Sequence, residues 1–281
     1  MPIHDQSYRH YAGGREPAGR AWIIIASGGI RTMIRKRRFL GLMLLAWLPF
    51  LIEAIRFYVA ANFSQVSAVL GATRESYREF FDYQATFVFF ITIWVGAGLI
   101  ANDKRANALQ IYLSKPLTRT EYIAGKAFIL LVFLTLVTWA PAMLLLLLHM
   151  IFTGSFAFIR ANLMLFPAIT LYSVLQVLLA SFTILALSSL SNSSRFVAIL
   201  YTGVIFFTDA VFGVLTAVTG SSAFSWLSIS GSLRQVGNII FRMRPLYSDT
   251  PWQVSLLVVV LAIVVSIVIL ERRVRGVEVV S

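Results

Sequence analysis

The sequence predicts an all-α, polytopic membrane protein with six transmembrane helices. Of its 281 residues, 58% are hydrophobic and only 13% are charged, whereas soluble domains average about 45–50% apolar and about 25% charged residues. The mean hydropathy of +0.81 agrees with this class. Uncharged runs such as 127–150 are as long as the roughly 20 residues that one membrane crossing requires. These observations exclude the soluble classes of protein.

Six long apolar runs predict the transmembrane spans. They lie near residues 39–61, 83–101, 122–152, 163–190, 194–219 and 251–270. The third run is long for a hydrocarbon core of about 30 Å, so it is tilted, kinked at Pro141, or extended into the cytoplasm at Lys126. Residues 20–281 are predicted to form one transmembrane domain, and residues 1–19, where Gly and Pro stand among polar neighbours, a flexible cytoplasmic tail.

The distribution of Lys and Arg predicts the orientation. With the N-terminus inside, 17 of the 24 basic residues lie on the inner side and seven lie elsewhere. Both termini are therefore predicted to be cytoplasmic, in a multi-pass protein of the cytoplasmic or plasma membrane. The net charge of +12 then reflects loops that face anionic lipid, and we expect no nucleic-acid binding. Cysteine is absent, which excludes disulfides and Cys-ligated metals.

The segment before the first span is both apolar and basic. Residues 20–38 combine apolar side chains with a basic end, which predicts a helix that lies on the inner leaflet. The basic residues expected at the membrane surface are Arg31, Arg35, Lys36, Arg37 and Arg38. Gly28-Gly29 is a point where this helix could break, and a charged stop before the first span is the alternative interpretation.

The segment between the fifth and sixth spans, 220–250, is too polar to cross the membrane. Its apolar side chains share one helical face, opposite a polar face. The apolar face is Leu233, Val236, Ile240 and Met243, and the polar face is Arg234, Gln235, Asn238 and Arg242. This pattern predicts an interfacial or re-entrant helix at the outer surface, with a plain connecting loop as the alternative.

The segment between the second and third spans predicts a short amphipathic helix over 102–115. Asn102 or Asp103 is a suitable N-cap, and Pro116 ends the helix. A helix of this kind can dock into a groove of a partner protein.

The segment between the second and third spans also resembles a segment of a known family. The stretch Gly98-Leu-Ile-Ala-Asn-Asp103 and the residues that follow to Lys126 resemble the segment after the second span of type-2 ABC transporter permeases. Asp103 fills the position of an acidic residue after that span. Ser114-Lys115-Pro116 fills a Ser-Arg-Pro-like turn, and Tyr122 with Gly125-Lys126 resembles the start of the third span. Two departures are Asp103 in place of the more typical Glu and Asn107-Ala108 in place of Gly-Thr.

A second, weaker resemblance is the small polar turn 187–195 between spans four and five. Together these resemblances imply the permease subunit of an ABC exporter, paired as a homodimer or with a similar permease. They also imply a separate P-loop ATP-binding protein that binds ATP and Mg, so no cofactor is expected in this chain, which has no GxxxxGK[ST] motif of its own. The 102–115 segment would be the coupling helix. Its candidate ATPase contacts are Asp103, Arg105, Leu109, Tyr112 and Leu113.

Ionisable residues inside spans are functional candidates because their burial in lipid is costly. Glu53 and Arg56 are three residues apart and can pair. Glu53 and Asp209 each lie 14 residues beyond the start of their span, roughly 21 Å along a helix, so all three charges can meet at one level. They form either an outer gate on the translocation path or a structural ion-pair network, Glu53 with Arg56 or Arg56 with Asp209. Pairing alone explains buried opposite charges, which favours the network.

Catalytic motifs such as HExxH and GxSxG are absent from the sequence, so we expect neither a catalytic nor a metal site, and we interpret His149 as interfacial. The alternatives to a permease are a secondary transporter, an intramembrane enzyme that uses Glu53, Arg56 and Asp209, and a membrane scaffold. Antibiotics, lipids, glycans and peptides are all compatible substrates, and the sequence fits export and import equally.

Overall fold

The computed structural model describes residues 20–63, 65, 70–108, 118–154, 160 and 162–274. In these residues the chain forms helices and turns without a strand. Six helical segments are long and apolar enough to cross a membrane. They are Arg37–Asn62, Arg74–Arg105, Arg119–Thr153, Leu165–Leu190, Ser194–Thr219 and Trp252–Arg273. The predicted all-α, six-span class is confirmed, and the chain is a multi-pass membrane protein.

Three of the spans are built from two helices each. Span 1 consists of α2 (Arg37–Leu45) and α3 (Leu48–Asn62), span 2 of α4 (Arg74–Gly96) and α5 (Ala101–Arg105), and span 3 of α6 (Arg119–Val137) and α7 (Trp139–Thr153). Spans 4, 5 and 6 are α8 (Leu165–Leu190), α9 (Ser194–Thr219) and α11 (Trp252–Arg273). Helix α1 (Ala21–Ile34) precedes span 1, and a 3₁₀ turn (Ser225–Leu227) and α10 (Ile229–Ile240) connect spans 5 and 6.

Successive spans run in opposite directions. One core cluster joins the start of spans 1, 3 and 5 to the end of spans 2, 4 and 6. A second cluster joins the opposite ends of spans 1, 2, 3, 4 and 6. Members of the first cluster are Phe39, Ile100, Tyr122, Leu185, Val197 and Leu270; members of the second are Phe57, Tyr77, Leu145, Leu165 and Val259. We call these the Asp103 end and the Asp249 end of the bundle. Both ends of the described chain therefore lie at the Asp103 end.

Helix α1 continues through Gly28-Gly29, so the predicted helix is confirmed and the glycines do not break it. Instead, small residues allow α1 to pack closely on α6. A Cβ on Gly125 would lie 2.9 Å from the backbone oxygen of Trp22, and a Cβ on Gly29 would clash with Ile129. Close backbone approach at small residues is a common way to pack helices in membranes.

Span 2 begins at Arg74, well before the predicted residue 83. The Thr73 hydroxyl accepts a hydrogen bond from the backbone N–H of Ser76 (3.2 Å), and the Ser76 hydroxyl accepts one from Thr73 N–H (3.2 Å). This capping box starts the helix in a polar segment. The hydrophobic run marked only the apolar part of the span, which is why the predicted boundary was wrong.

Span 3 is both kinked and extended. It begins at Arg119, beyond the apolar run, and breaks at Thr138, three residues before Pro141. Proline has no N–H to donate to the carbonyl four residues earlier and its ring clashes there, so the carbonyl of Val137 loses its helical partner. Of the three alternatives left open by the length of this run, the kink near Pro141 is therefore present.

The buried side chain of Gln84 in span 2 satisfies this carbonyl. Its Nε2 donates to the carbonyl of Val137 in span 3 and to the carbonyl of Ala46 in span 1 (2.8 Å). Ala46 lies at the break between α2 and α3, close to Pro49. One amide group thus holds two broken helices at the same level of the bundle.

Burial separates inner from outer spans. In the apolar windows of spans 2, 3 and 4, 56–61% of residues are buried, compared with 22%, 11% and 22% in spans 1, 5 and 6. Spans 2 to 4 therefore form the protein's core. The outer spans present large apolar side chains, such as Ile52, Phe207 and Val218, to lipid or to another subunit.

Helix α10 confirms the helix predicted between spans 5 and 6. Leu233 and Val236 are buried, and Leu233 belongs to the second core cluster. The prediction was wrong for one residue of the polar face. Gln235 is fully buried, and its Nε2 donates to the carbonyl of Thr250 (2.7 Å). The helix also ends before Met243, because the backbone reverses through the left-handed conformation of Arg242 (φ 57°).

Candidate functional site at Asp103

The turn between α4 and α5 of span 2 is attached to span 4. The hydroxyl of Ser188, near the end of span 4, accepts hydrogen bonds from the backbone N–H groups of Ile100 (3.2 Å) and Ala101 (3.0 Å) and donates to the carbonyl of Ala97 (3.0 Å). Asn102 and Asp103 were predicted as N-caps of the following helix, and this was wrong: both lie inside α5. A serine from another span supplies the acceptor that a cap normally provides.

Asp103 joins the end of span 2 to the start of span 3. Its Oδ2 accepts a hydrogen bond from the Tyr122 hydroxyl (2.7 Å) and forms an ion pair with Lys126 Nζ (2.7 Å). Tyr122 and Lys126 are buried on successive turns of α6, and the ammonium lies 5.4 Å from the centre of the Tyr122 ring. We call these three residues the Asp103 cluster. Charge-assisted hydrogen bonds of this kind are short and strong.

Helix α5 has a third attachment. The Nζ of Lys104 donates to the carbonyl of Ser189 (2.8 Å) at the end of α8, where the negative end of the helix dipole favours a cation. With Ser188 and the Asp103 cluster, α5, the last helix of span 2, is bonded to both span 3 and span 4.

The described part of the predicted coupling helix ends early. Helix α5 stops at Arg105, whose side chain is exposed, and Asn107 adopts a left-handed backbone (φ 51°). Asn tolerates this conformation better than most residues, and it stands in place of the Gly of the type-2 permease pattern. The continuous helix predicted over 102–115 is thus interrupted at Asn107. Leu109, Tyr112 and Leu113 lie outside the described residues.

No family model and no curated protein matches this chain.

The basic residues predicted at the membrane surface are all exposed where α1 meets α2. They are Arg31, Arg35, Lys36, Arg37 and Arg38. Lys36 also lines a groove of about 670 Å³ between α1 and the ends of spans 2, 3 and 5. The groove adjoins Asp103 and Lys126.

The three ionisable residues singled out in the spans have two different environments. Glu53, which is buried, forms an ion pair with Arg56 on the same helix (3.1 Å). Asp209 accepts a hydrogen bond from the hydroxyl of Ser228 (2.6 Å), the N-cap residue of α10. It lines a cleft of about 400 Å³ between spans 2, 4, 5 and α10. The structure thus brings Glu53 and Arg56 together and gives Asp209 a separate partner.

A further polar network was missed by sequence reasoning. Arg78, buried in span 2, pairs with Asp82 (2.9 Å), which also pairs with Arg234 of α10 (3.4 Å). The Arg78 guanidinium lies 4.9 Å from the centre of the Tyr172 ring. The i, i+4 spacing of Arg78 and Asp82 indicates an ion pair on a helix. The pair was missed because the predicted span began near residue 83, and the helix begins at Arg74.

His149 is buried inside the bundle, with its ring centre 5.6 Å from that of Phe57. It was expected at the interface, and its position between spans 1 and 3 reflects the packing of α7 on α3. Within the described ranges, no group of three or more His, Cys, Asp or Glu residues is arranged to hold a metal ion.

Proposed function

We propose that the protein is the transmembrane permease subunit of an ABC exporter, which forms the substrate pathway and couples to ATP hydrolysis in a separate subunit. The observation that carries the proposal is the Asp103 cluster. Asp103, Tyr122 and Lys126, three residues on which the resemblance to type-2 permeases rests, form a single interaction between spans 2 and 3.

The attachments of α5 suit a mechanical role. Coupling needs an element that contacts the ATPase and is rigidly joined to the spans that move. The candidate contacts Asp103 and Arg105 lie on α5, and Leu109, Tyr112 and Leu113 follow directly in the sequence. The joint to span 3 is the Asp103 cluster, and the joints to span 4 are Ser188 and Lys104. Movement of a nucleotide-binding partner would therefore reach the core of the bundle directly.

The charge distribution supports an orientation with the Asp103 end in the cytoplasm. Both ends of the described chain lie there, together with the basic residues at the α1–α2 junction and at the end of span 6. The positive-inside rule assigns this end to the cytoplasm. We accordingly propose a location in the cytoplasmic or plasma membrane with both termini inside the cell.

The weakly buried outer spans support assembly with a second permease. Span 5 is only 11% buried in its apolar window, and an apolar helical face of this size needs lipid or another subunit against it. We propose a homodimer or a pair with a similar permease, served by two P-loop ATP-binding proteins that hold ATP and Mg.

The test is affinity purification of the tagged full chain from its native membrane in mild detergent, followed by mass spectrometry. A P-loop ATPase should co-purify with the wild type and be lost from Leu109→Asp with Leu113→Asp, because two carboxylates cannot be buried in an apolar groove. Leu109→Met with Leu113→Met is the control and should retain the ATPase. Absence of any ATPase from folded, abundant wild-type protein would reject the proposal.

That rejection would favour a secondary transporter or an intramembrane enzyme. The observation in its favour is the cleft that contains Asp209. In this case Asp209→Asn and Arg56→Gln should abolish activity while the protein still assembles. If both variants instead lose assembly, the three charges are structural.

A further inference from the structure

The groove beside α1 has the size of a ligand site. It has a volume of about 670 Å³ and lies between α1 and the ends of spans 2, 3 and 5. Small-molecule sites commonly measure about 300–1,000 Å³. Gly28 lies in its wall, and a Cβ at this position would meet no atom within 4 Å. The protein therefore leaves this space open where a larger side chain would fit.

Both apolar and cationic side chains line the groove. The apolar part includes Ile24 of α1 and Ile93 and Trp94 of span 2, and the cationic part includes Lys36 and Arg195. Ile24 and Trp94 are 62% and 45% exposed. Apolar side chains meet basic ones in this way at the boundary between the acyl chains and the headgroups of a bilayer.

The positive charge of the groove is not neutralised by the protein. Its charged lining consists of Lys36, Lys126, Arg195 and Asp103, and Asp103 is already paired with Lys126. Neither Lys36 nor Arg195 forms an ion pair within the described part of the chain. The Nζ of Lys36 contacts only a thioether, the Sδ of Met33 at 3.6 Å. Two cations therefore line the groove without an ion-pair partner among the residues that the structure describes.

We propose that this groove binds an anionic phospholipid. Its phosphate pairs with Lys36 and Arg195, and its acyl chains lie along Ile93 and Trp94. The two unopposed charges select a negative headgroup, and the adjoining apolar wall selects a lipid over a free anion. The proposal requires only that the spans cross a membrane, and it is independent of the permease proposal.

The experiment is native mass spectrometry of the purified full chain in mild detergent, titrated with dioleoyl phosphatidylglycerol or with dioleoyl phosphatidylcholine. Phosphatidylglycerol should bind more tightly than phosphatidylcholine. Lys36→Gln with Arg195→Gln should weaken phosphatidylglycerol binding about 20- to 30-fold, because each basic residue near the membrane surface contributes roughly a fivefold preference. Gly28→Leu should weaken it as well, since the new side chain fills the groove.

Two controls separate the groove from general surface effects. Arg272→Gln with Arg273→Gln removes the same charge from exposed residues at the same end of the bundle that lie outside the groove. Gly213→Leu places the same side chain at another glycine with open space around it. Both should change binding by less than about twofold.

Three results would overturn the proposal. Equal losses in the Arg272/Arg273 control would indicate non-specific surface charge. Equal binding of phosphatidylcholine would show that the headgroup is not recognised. Displacement of phosphatidylglycerol by millimolar inorganic phosphate would identify a site for free anions.

Discussion

Two carboxylates, Asp103 and Asp249, join neighbouring segments at opposite ends of the bundle, and they do so by different means. Asp103 is bound by the buried Lys126 ammonium and the buried Tyr122 hydroxyl. Asp249 is exposed, and its Oδ2 accepts hydrogen bonds from the Ser221 hydroxyl (2.9 Å) and from the backbone N–H of Ser222 (2.8 Å). One joint depends on a shielded ion pair, and the other on neutral donors in contact with water.

The exposure of each carboxylate to water determines how much its bonds contribute to the stability of the folded protein. Water can replace a lost partner of Asp249, whereas a lost partner of Asp103 leaves a charge in a poorly solvated site. The hydrogen bonds from Ser222 and Ser221 nevertheless hold the pKa of the Asp249 carboxyl below its ordinary value. We therefore expect the Asp103 end to be the rigid end of the bundle.

The largest effect should come from Lys126→Met. This change leaves the Asp103 carboxylate without its counter-ion and should lower the free energy of unfolding by about 3 kcal/mol. Unfolding of the purified protein by SDS in mixed micelles measures the change. The double variant Asp103→Asn with Lys126→Met should recover part of the loss, because it also removes the unpaired charge. A single variant as stable as the wild type would contradict a rigid joint at this end.

Gly125→Ala tests whether the close packing of α1 belongs to the same rigid end. The new Cβ would lie 2.9 Å from the backbone oxygen of Trp22, and overpacking of this kind costs about 1–3 kcal/mol. The melting temperature should fall. Gly28→Ala is the control: its Cβ meets open space, and Ala in a helix is better than Gly by about 0.5–1 kcal/mol, so its melting temperature should hold or rise.

Gln84→Leu measures how much a buried polar group without a charge contributes to stability, for comparison with the charged Asp103 cluster. The carbonyls of Ala46 and Val137 lose a donor, and hydrogen bonds within membranes average about 0.6 kcal/mol each, so we expect a loss of about 1 kcal/mol in SDS unfolding. The same change at Gln176, which is buried in span 4 with an unbonded Oε1, should cost less. Equal losses would mean that the kink carbonyls do not depend on Gln84.

Asp249→Asn should have the smallest effect, and one that depends on pH. A carboxyl whose pKa is lowered by folding stabilises the folded state above its ordinary pKa of about 3.9, and this contribution is lost as the pH falls through the folded-state pKa. The wild type should thus melt slightly above Asp249→Asn at pH 6, and the two melting temperatures should converge below pH 4. A difference that persists at low pH would show that the carboxylate charge is not the cause.

Much of the fold was predictable because local patterns carry it. The six apolar runs predicted six spans, and the helical spacing of Leu233 and Val236 predicted α10. Errors occurred where polar residues are buried. Span 2 begins at Arg74, and its polar first turns contain the buried Arg78, which pairs with Asp82. Gln235 faces inward because the Thr250 carbonyl lies opposite. Hydropathy cannot distinguish a satisfied buried polar residue from an exposed one.

The sequence by itself determined the membrane class and the number of spans, because hydropathy is a property of residues that are neighbours in the chain. Only the tertiary structure decided which polar groups meet. It brought Asp103 to Tyr122 and Lys126, Ser188 to the end of span 2, Gln84 to two kinked spans, and Lys36 to a groove shared with Arg195. Each of these contacts joins segments that are distant in the chain, and their partners are selected by how the helices pack.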